Sequence, residues 1–384
     1  MAATYSRARL RVGILNVGFV TVAALVALVF DLPERVLLFE PTPVGDTAGL
    51  LTVVTLYAVA NAPFDVAGGY VLPKRYGRPY PDPSEFVARW LRGVAVQSAV
   101  FVVSGAGLLY AGRAAGVTGA TAFFGIVTVA LLVARTYLSR LVGGNRRVSD
   151  TDDRLGSALE SFDDLKLEPP DVTVYDSDDG SFVGAPTYSG VVVPSLWLER
   201  LSQDELTAVL ARRTSAVETG GIRRGVALAV AWNLVGFVGA ITLVPGAGFA
   251  DVASLVSLVL GYVIWSFIAL LVLPTPTRAG VFEVDARTVD AGVEADVLGS
   301  AIRKINETQG DDEERTRLVE SVFHPIPSVE RRVERLDTDE EPIRGAWNAA
   351  RVRLYLSWAG LDFLARAVHC NVGRPGVWVI LPGD

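Results

Sequence analysis

Residues 201–220 read LSQDELTAVLARRTSAVETG. Leu206, Val209, Leu210 and, a turn on, Val217 recur at the three-and-four spacing that places side chains on one face of an α-helix. Ser202 stands where a helix is capped, with Glu205 three residues on, at the capping-box position. In the second half of this helix the chain places Arg212, Arg213, Thr214, Ser215 and Ala216 in succession. What such a helix serves depends on the chain around it.

That chain is too apolar to be wholly soluble. It has 384 residues, 51% of them hydrophobic, and a mean hydropathy of +0.37. Apolar segments long enough to cross roughly 30 Å of hydrocarbon lie near 10–30, 48–72, 91–112, 118–138, 225–244 and 252–273. The expectation is six transmembrane helices. The first is longer than a signal-peptide core and lacks an evident small-residue cleavage site, so it is read as a span.

Charge orients the spans. Arg7, Arg9 and Arg11 precede the first, Lys74, Arg75, Arg78, Arg89 and Arg92 lie between the second and third, and Arg140, Arg146 and Arg147 follow the fourth. The opposite loops are poor in basic residues. Both termini are therefore expected in the cytoplasm of a multi-pass cell-membrane protein. The net charge is -7, and of 35 basic residues only Lys74, Lys166 and Lys304 are lysine. An acidic, lysine-poor surface suits either a salt-rich (halophile) cytoplasm or a GC-rich codon bias. No basic stripe points to nucleic acid. A single cysteine, Cys370, excludes an intrachain disulfide framework.

Four regions follow: a four-helix transmembrane region at 1–142, a cytoplasmic subdomain at 143–224, a transmembrane hairpin at 225–273 and a helical cytoplasmic part at 274–384. In the second, the strand-like DVTVYDS and GVVVPS flank a turn, DDGSF, and precede the helix of 201–220. In the fourth, DDEERTR reads as a solvated connector. Near its end, AWNAARVRLYLSWAGLDFLARAVHC has an apolar face interrupted by Arg351, Arg353, Asp362 and Arg366. It is a poor spanning helix, and reads either as a buried helix of the soluble part or as an interfacial helix on the bilayer.

The pattern H-E-x-x-H puts two imidazoles four residues apart on one helix face, where they bind one Zn²⁺ while the glutamate activates its water. Here the five positions are Arg212 to Ala216. Arginine has no lone pair to donate and alanine has no ligand atom. The frame around them is nonetheless informative. LSQDELTAVLA resembles the lead-in L-x-x-x-E-L-x-A-V-L-A of the membrane zinc metallopeptidase family that includes the HtpX-like heat-shock proteases and the CAAX prenyl proteases. VTVYDSDDGSFVGAPTYSGVVVPSLWLERLS is similar to that family's strand, N-A-F-type turn and edge strand, with Gly180 and Ser181 in place of Asn-Ala. ADVLGSAIRKI and HPIPSVERRVERL resemble its later helix and closing segment, and PFDVAGGYVLPKRYGRP its early inter-span pattern.

The resemblance implies a mainly α membrane protein: six transmembrane helices plus a small cytoplasmic α+β gluzincin-like domain split by the transmembrane hairpin. The family's R-x-x-E-F-x-A-D segment aligns without gaps on residues 278–285. The third zinc ligand is then Val281, with Arg278 and Asp285 retained, whereas a shifted pairing would use Glu283. The active-site positions Arg212, Arg213, Ala216 and Val281 thus lack zinc chemistry, and the zinc cofactor of the family is expected to be absent. Other metal sites would have to draw on His324, His369 and Cys370 with carboxylates such as Glu218 or Glu294. His324, in an HP turn, reads as structural. Arg212 and Arg213 are either neutralised by acids such as Asp285 or bind an anionic ligand in the former groove. Asn61, Asp65 and Asn233 fall within spans, where polar groups either line a cavity or bond helix to helix.

The function expected is that of a pseudoprotease in the lipid bilayer. Its partners would be membrane-protein or peptide clients, or an active protease paralogue. The alternatives are a working metalloendopeptidase in membrane-protein quality control with relocated zinc ligands, and a lipid-handling or transport protein.

Overall fold

The computed structural model describes residues 4–143, 146–147, 153–176, 185–186, 190–338 and 340–379. In chain order its main elements are α1 (Tyr5–Val29), α2 (Pro43–Val66), α3 (Pro83–Gly143), β1 (Arg146–Arg147), α4 (Asp153–Glu160), β2 (Val172–Asp176), β3 (Ala185–Pro186), β4 (Val191–Pro194), α5 (Gln203–Glu218), α6 (Gly221–Leu243), α7 (Val252–Val272), α8 (Pro274–Asp290), α9 (Ala295–Gln309), α10 (Arg317–Phe323), α11 (Val329–Leu336) and α12 (Ala349–Leu356). The fold is mostly helical. It divides into two compact units. One comprises Met1–Gly143, Ala229–Ala269 and Arg353–Val379, the other Gly144–Leu228, Leu270–Val352 and Ile380–Asp384.

Among the described residues five helices are long and apolar enough to cross a membrane: Tyr5–Val29, Pro43–Arg75, Pro83–Val142, Gly221–Leu243 and Val252–Val272. At about 1.5 Å per residue, α3 would be far longer than a bilayer is thick if it were straight. It is not straight. Ala115 (φ -140°, ψ 20°) and Gly116 (φ 60°, ψ -152°) leave the helical region, and a positive φ of that kind suits glycine, which has no Cβ. A Cβ on Gly107 would lie 2.0 Å from the Phe123 ring, although residues that far apart on one straight helix are separated by roughly 24 Å. The chain therefore doubles back at Gly116, and the expected spans at 91–112 and 118–138 are the two arms of this hairpin.

The first unit buries several polar residues and turns many apolar ones outward. On α1, Asn16 is 0% exposed while its neighbour Leu15 is 65% exposed. Asn61, Asp65, Gln97 and Asn233 are likewise buried, and Leu56, Val59, Val103, Ile126 and Val133 face outward. Lipid requires this inversion, because polar groups in hydrocarbon must find partners inside the bundle.

The last segment differs from both expectations for it. It forms neither a long helix of a soluble part nor an interfacial one. Helix α12 ends at Leu356, and Leu361 at φ 57° interrupts the 3₁₀ turns Ser357–Gly360 and Phe363–Ala365. Arg353–Val379 groups with the apolar helices of the first unit rather than with the rest of 274–384, and almost every residue in it is buried. Its charges explain why it can lie there. Arg366 pairs with Asp65, which also accepts hydrogen bonds from Trp90 Nε1 (2.9 Å) and the Gly373 amide (2.8 Å). Arg353 and Asp362 both bond Ser266 on α7, and Asn233 Nδ2 donates to the Arg353 carbonyl at 3.1 Å. Irregular backbone among apolar helices is tolerated where protein, not lipid, surrounds it.

The second unit carries a four-stranded sheet of order β1-β2-β4-β3. The two predicted strands form β2 and β4 and run parallel, from Val172 opposite Val191 to Tyr175 opposite Pro194. β1 and β3 flank them antiparallel. The turn at 178–182, with Gly180 and Ser181, lies outside the described residues. Val172, Val174, Val191 and Val193 join Trp197, Leu206, Leu210, Leu298 and Ile302 in one core, and α5 packs on α4, α8 and α9. The capping box forms as expected. The Glu205 amide donates to Ser202 Oγ (3.3 Å) and the Ser202 amide to Glu205 Oε2 (2.7 Å). Glu205 also binds Ser300 Oγ and Lys304 Nζ, each at 2.7 Å, which ties the helix start to α9.

Two outcomes follow from these contacts. Asp65→Ala leaves the Arg366 guanidinium buried without its carboxylate, and should lower stability by about 3–5 kcal/mol. Thermal unfolding in detergent should show this, with most of the loss recovered in the Asp65→Ala/Arg366→Met variant. Burial opposes ionisation of Glu205, but hydrogen bonds from Lys304, Ser202 and Ser300 outweigh it and hold the carboxyl down from 4.5 to about 2. Its contribution is present above about 4.5 and is lost as the pH falls from there towards 2. Thermal stability measured across that window should be flatter for Glu205→Gln than for the natural protein.

Candidate functional site

Helices α5 and α8 bring the expected site residues together in the second unit. Residues four apart on a helix share a face, so Arg212 and Ala216 of α5 look the same way, as do Val281 and Asp285 of α8. The first of each pair of helices' contacts is ionic. Arg212 Nε lies 2.5 Å from Asp285 Oδ1. Arg332 of α11, from the closing segment, donates Nε to Asp285 Oδ2 at 2.8 Å and Nη2 to Oδ1 at 2.9 Å. All three side chains are buried, and one carboxylate serves two guanidinium groups.

The other contact is apolar. Ala216, Val281, Val284 and Trp347 form one buried cluster, with Ile222 packed against it. The Arg212 guanidinium lies over the Trp347 ring, 5.7 Å from its centroid. Trp347 arrives on a segment without helix or strand that precedes α12. Its backbone is held closely. The Gly345 amide donates to Glu283 Oε2 (2.8 Å), Arg224 Nε donates to the Gly345 carbonyl (2.7 Å), and the Ala346 amide donates to the Pro276 carbonyl (2.9 Å).

The residues at the three ligand positions do not fit a zinc ion. A guanidinium occupies the first, a methyl group the second and a buried isopropyl group the third, and an indole packs against the last two. Zn²⁺ takes imidazole, thiolate or carboxylate donors, and none of these side chains supplies one. Of the two residues left open for the third position, Val281 shares the buried cluster with Ala216. Glu283 is turned away, bound by Arg224 Nη2 at 2.6 Å and 2.8 Å. Among the described residues no group of three or more His, Cys, Asp or Glu could hold a metal ion. Glu218 pairs with Arg287 at 3.1 Å. Glu294, at the start of α9, is exposed. His369 and Cys370 belong to the first unit.

The remaining expected residues have structural places. Arg213 is separated from Arg212 by the turn of the helix and lies over the Trp197 ring, 5.4 Å from its centroid. Arg278 Nη1 binds the carbonyls of Glu320, Ser321 and His324 at the end of α10, a favourable site for a cation. Burial, helped by Arg315, pushes the His324 imidazole down to about 3, so it is neutral at physiological pH.

Among solved structures the chain is similar to S. mikatae Ste24p, a CAAX protease, with a TM-score of 0.64 over 83% of this chain and 81% of that one, at 14% sequence identity. No family model and no curated protein matches the sequence. With its apolar helices and this fold, the chain is a multi-pass membrane protein.

Sequence reasoning placed Arg212, Ala216, Val281 and Asp285 in one site and missed three residues that complete it. Arg332 lay within the quoted closing segment, so its arrival at Asp285 was within reach of that resemblance. Trp347 and Arg224 had no such signal, because their contacts join segments far apart in the chain, 59 residues for Arg224 with Glu283 and 121 for Arg224 with Gly345. The ionic centre sets a testable outcome. Asp285→Ala leaves two buried guanidinium groups without their shared carboxylate, and should cost about 3–5 kcal/mol in stability. Denaturation of the purified protein should show this loss, and a variant as stable as the natural chain would rule out the network as a structural centre.

Proposed function

We propose that this chain is a membrane pseudoprotease, related to the zinc metalloendopeptidases by fold but without their hydrolytic chemistry. One observation carries the reading: the cluster of Ala216, Val281 and Trp347, with Arg212 bound to Asp285, takes up the positions where a peptidase of this fold would bind zinc. Counting the α3 hairpin as two crossings, the chain has six, and the distribution of arginine supports cytoplasmic termini and a cytoplasmic peptidase-like part. Without a metal-bound water or a general base at the second position of the motif, the site has no means of attacking an amide. The work left to such a protein is binding, with segments of membrane proteins, other peptides or an active paralogue as partners.

Metal analysis and a protease assay on the full chain test this reading. The purified protein should carry far less than stoichiometric zinc and should not cleave casein in a chelator-sensitive way. Stoichiometric zinc with chelator-sensitive cleavage would overturn it in favour of relocated ligands. Installing the motif through Arg212→His, Arg213→Glu, Ala216→His and Val281→Glu should not by itself restore zinc binding, because Trp347 fills the space. Adding Trp347→Ala to that variant should raise its zinc content.

A further inference from the structure

The segment that carries Trp347 is bound as a ligand would be. Four glycines make room for its backbone. A Cβ on Gly225 would lie 2.0 Å from the Trp347 carbonyl oxygen, on Gly280 2.6 Å from the Trp347 amide, and on Gly221 3.3 Å from the Trp347 Cβ. On the segment itself, a Cβ on Gly345 would lie 1.9 Å from the Gly280 amide nitrogen. Close backbone approach of this kind is what glycine permits. The polar contacts are also of the type made to a bound peptide, here one with a turn at Trp347 and Asn348 where the Ala349 amide donates to the Ala346 carbonyl (3.2 Å). Main-chain groups of Gly345 and Ala346 are taken by Arg224, Glu283 and the Pro276 carbonyl, while one aromatic side chain enters a pocket formed by Ala216, Val281 and Val284.

The chain leading into this segment runs over the surface. Its described residues from Asp337 to Arg344 are mostly exposed, with Ile343 77% exposed, and burial begins abruptly at Gly345. Arg224, which holds the Gly345 carbonyl and Glu283 together, is itself partly exposed, with 36% of its side chain accessible. A cavity of about 250 Å³, lined by Phe282, Asp285, Arg332, Arg335, Glu340 and Pro342 among others, lies against the lead-in.

We propose that the groove between α5, α6 and α8 is a peptide-binding site held shut by the chain's own residues 344–348. When the Arg224–Glu283 latch releases them, the groove takes a turn-forming segment of another protein that presents an aromatic residue after two small ones. This rests on the binding role proposed above and names the chemistry of the client. The tethered strap competes at an effective concentration of order mM, so a client gains access only when the strap is weakened or the client is itself held nearby.

The test uses the full chain in detergent and a labelled peptide of residues 341–350, EPIRGAWNAA. Trp347→Ala weakens the strap and leaves the groove's own residues unchanged. This variant should bind the peptide at least about tenfold more tightly than the natural protein does, and neither protein should bind a peptide with alanine in place of the tryptophan. Equal binding to both proteins, or none to a Trp347→Ala variant that remains monodisperse, would overturn the proposal. If that variant does not fold, trypsin cleavage at Arg344–Gly345 in the natural protein decides. Mass spectrometry should show cleavage accelerated by excess of the shorter peptide GAWNAA (residues 345–350), which has no trypsin site and traps the open groove, and no acceleration would overturn the proposal. Zinc content and casein cleavage report on the pseudoprotease reading separately, so failure of one is distinguishable from failure of the other.

Discussion

A carboxylate with no access to water must be matched by cations, and the peptidase-like unit is arranged around one such group. Asp285 receives Arg212 from α5 and Arg332 from α11, and so joins three helices that are distant in sequence. The cost of burying three charges is large, and it is offset only if every guanidinium and carboxylate edge is directed at a partner. Arg212 has a particular part in this. It stands at the first position of what would be a zinc motif, and its fixed charge supplies a cation next to Asp285 from the protein itself. The remaining ligand positions then carry no charge to be satisfied. They can be apolar, and they are.

Apolarity at Ala216 and Val281 would leave a void between α5 and α8 if nothing filled it. Trp347 does so, and the loss of that ring would open a cavity costing about 3–5 kcal/mol. Its approach constrains a second set of residues. Gly221, Gly225 and Gly280 each lie where a side chain would collide with the incoming backbone or Cβ. The ion network and the packed indole thus draw on α5, α6, α8 and the strap together.

In the first unit the same physical demand, that buried polar groups be paired, governs the end of the chain. Asp65 and Ser266 sit on helices whose outer faces are apolar, and they are matched by Arg366, Arg353 and Asp362 from a segment with little regular structure. The segment is held by polar anchors at several points, and aromatic side chains pack around them, with Arg366 4.4 Å from the centroid of Trp378. A sequence so interrupted by charge is a poor transmembrane helix, yet it is well suited to lie among helices that present polar partners to it, Asp65, Ser266 and Asn233.

Periodicity and hydropathy act over neighbouring residues, so the apolar spans, the capping box at Ser202 and Glu205, and the strands at 172–176 and 191–194 were legible from the chain alone. The motif helix could be identified by its lead-in, and the chemistry missing from Arg212 and Ala216 follows from their side chains without coordinates. The choice between Val281 and Glu283 was not available at that level, because both lie on one helix and only the packing of α8 against α5 selects which of them faces Ala216. Trp347 as the filling of the site, Arg332 as the second cation on Asp285, and the burial of 353–379 among apolar helices were decided by tertiary structure. Each depends on contacts between residues far apart in the chain, where the energy of pairing a buried charge or filling a void outweighs any local preference of the segment that supplies it.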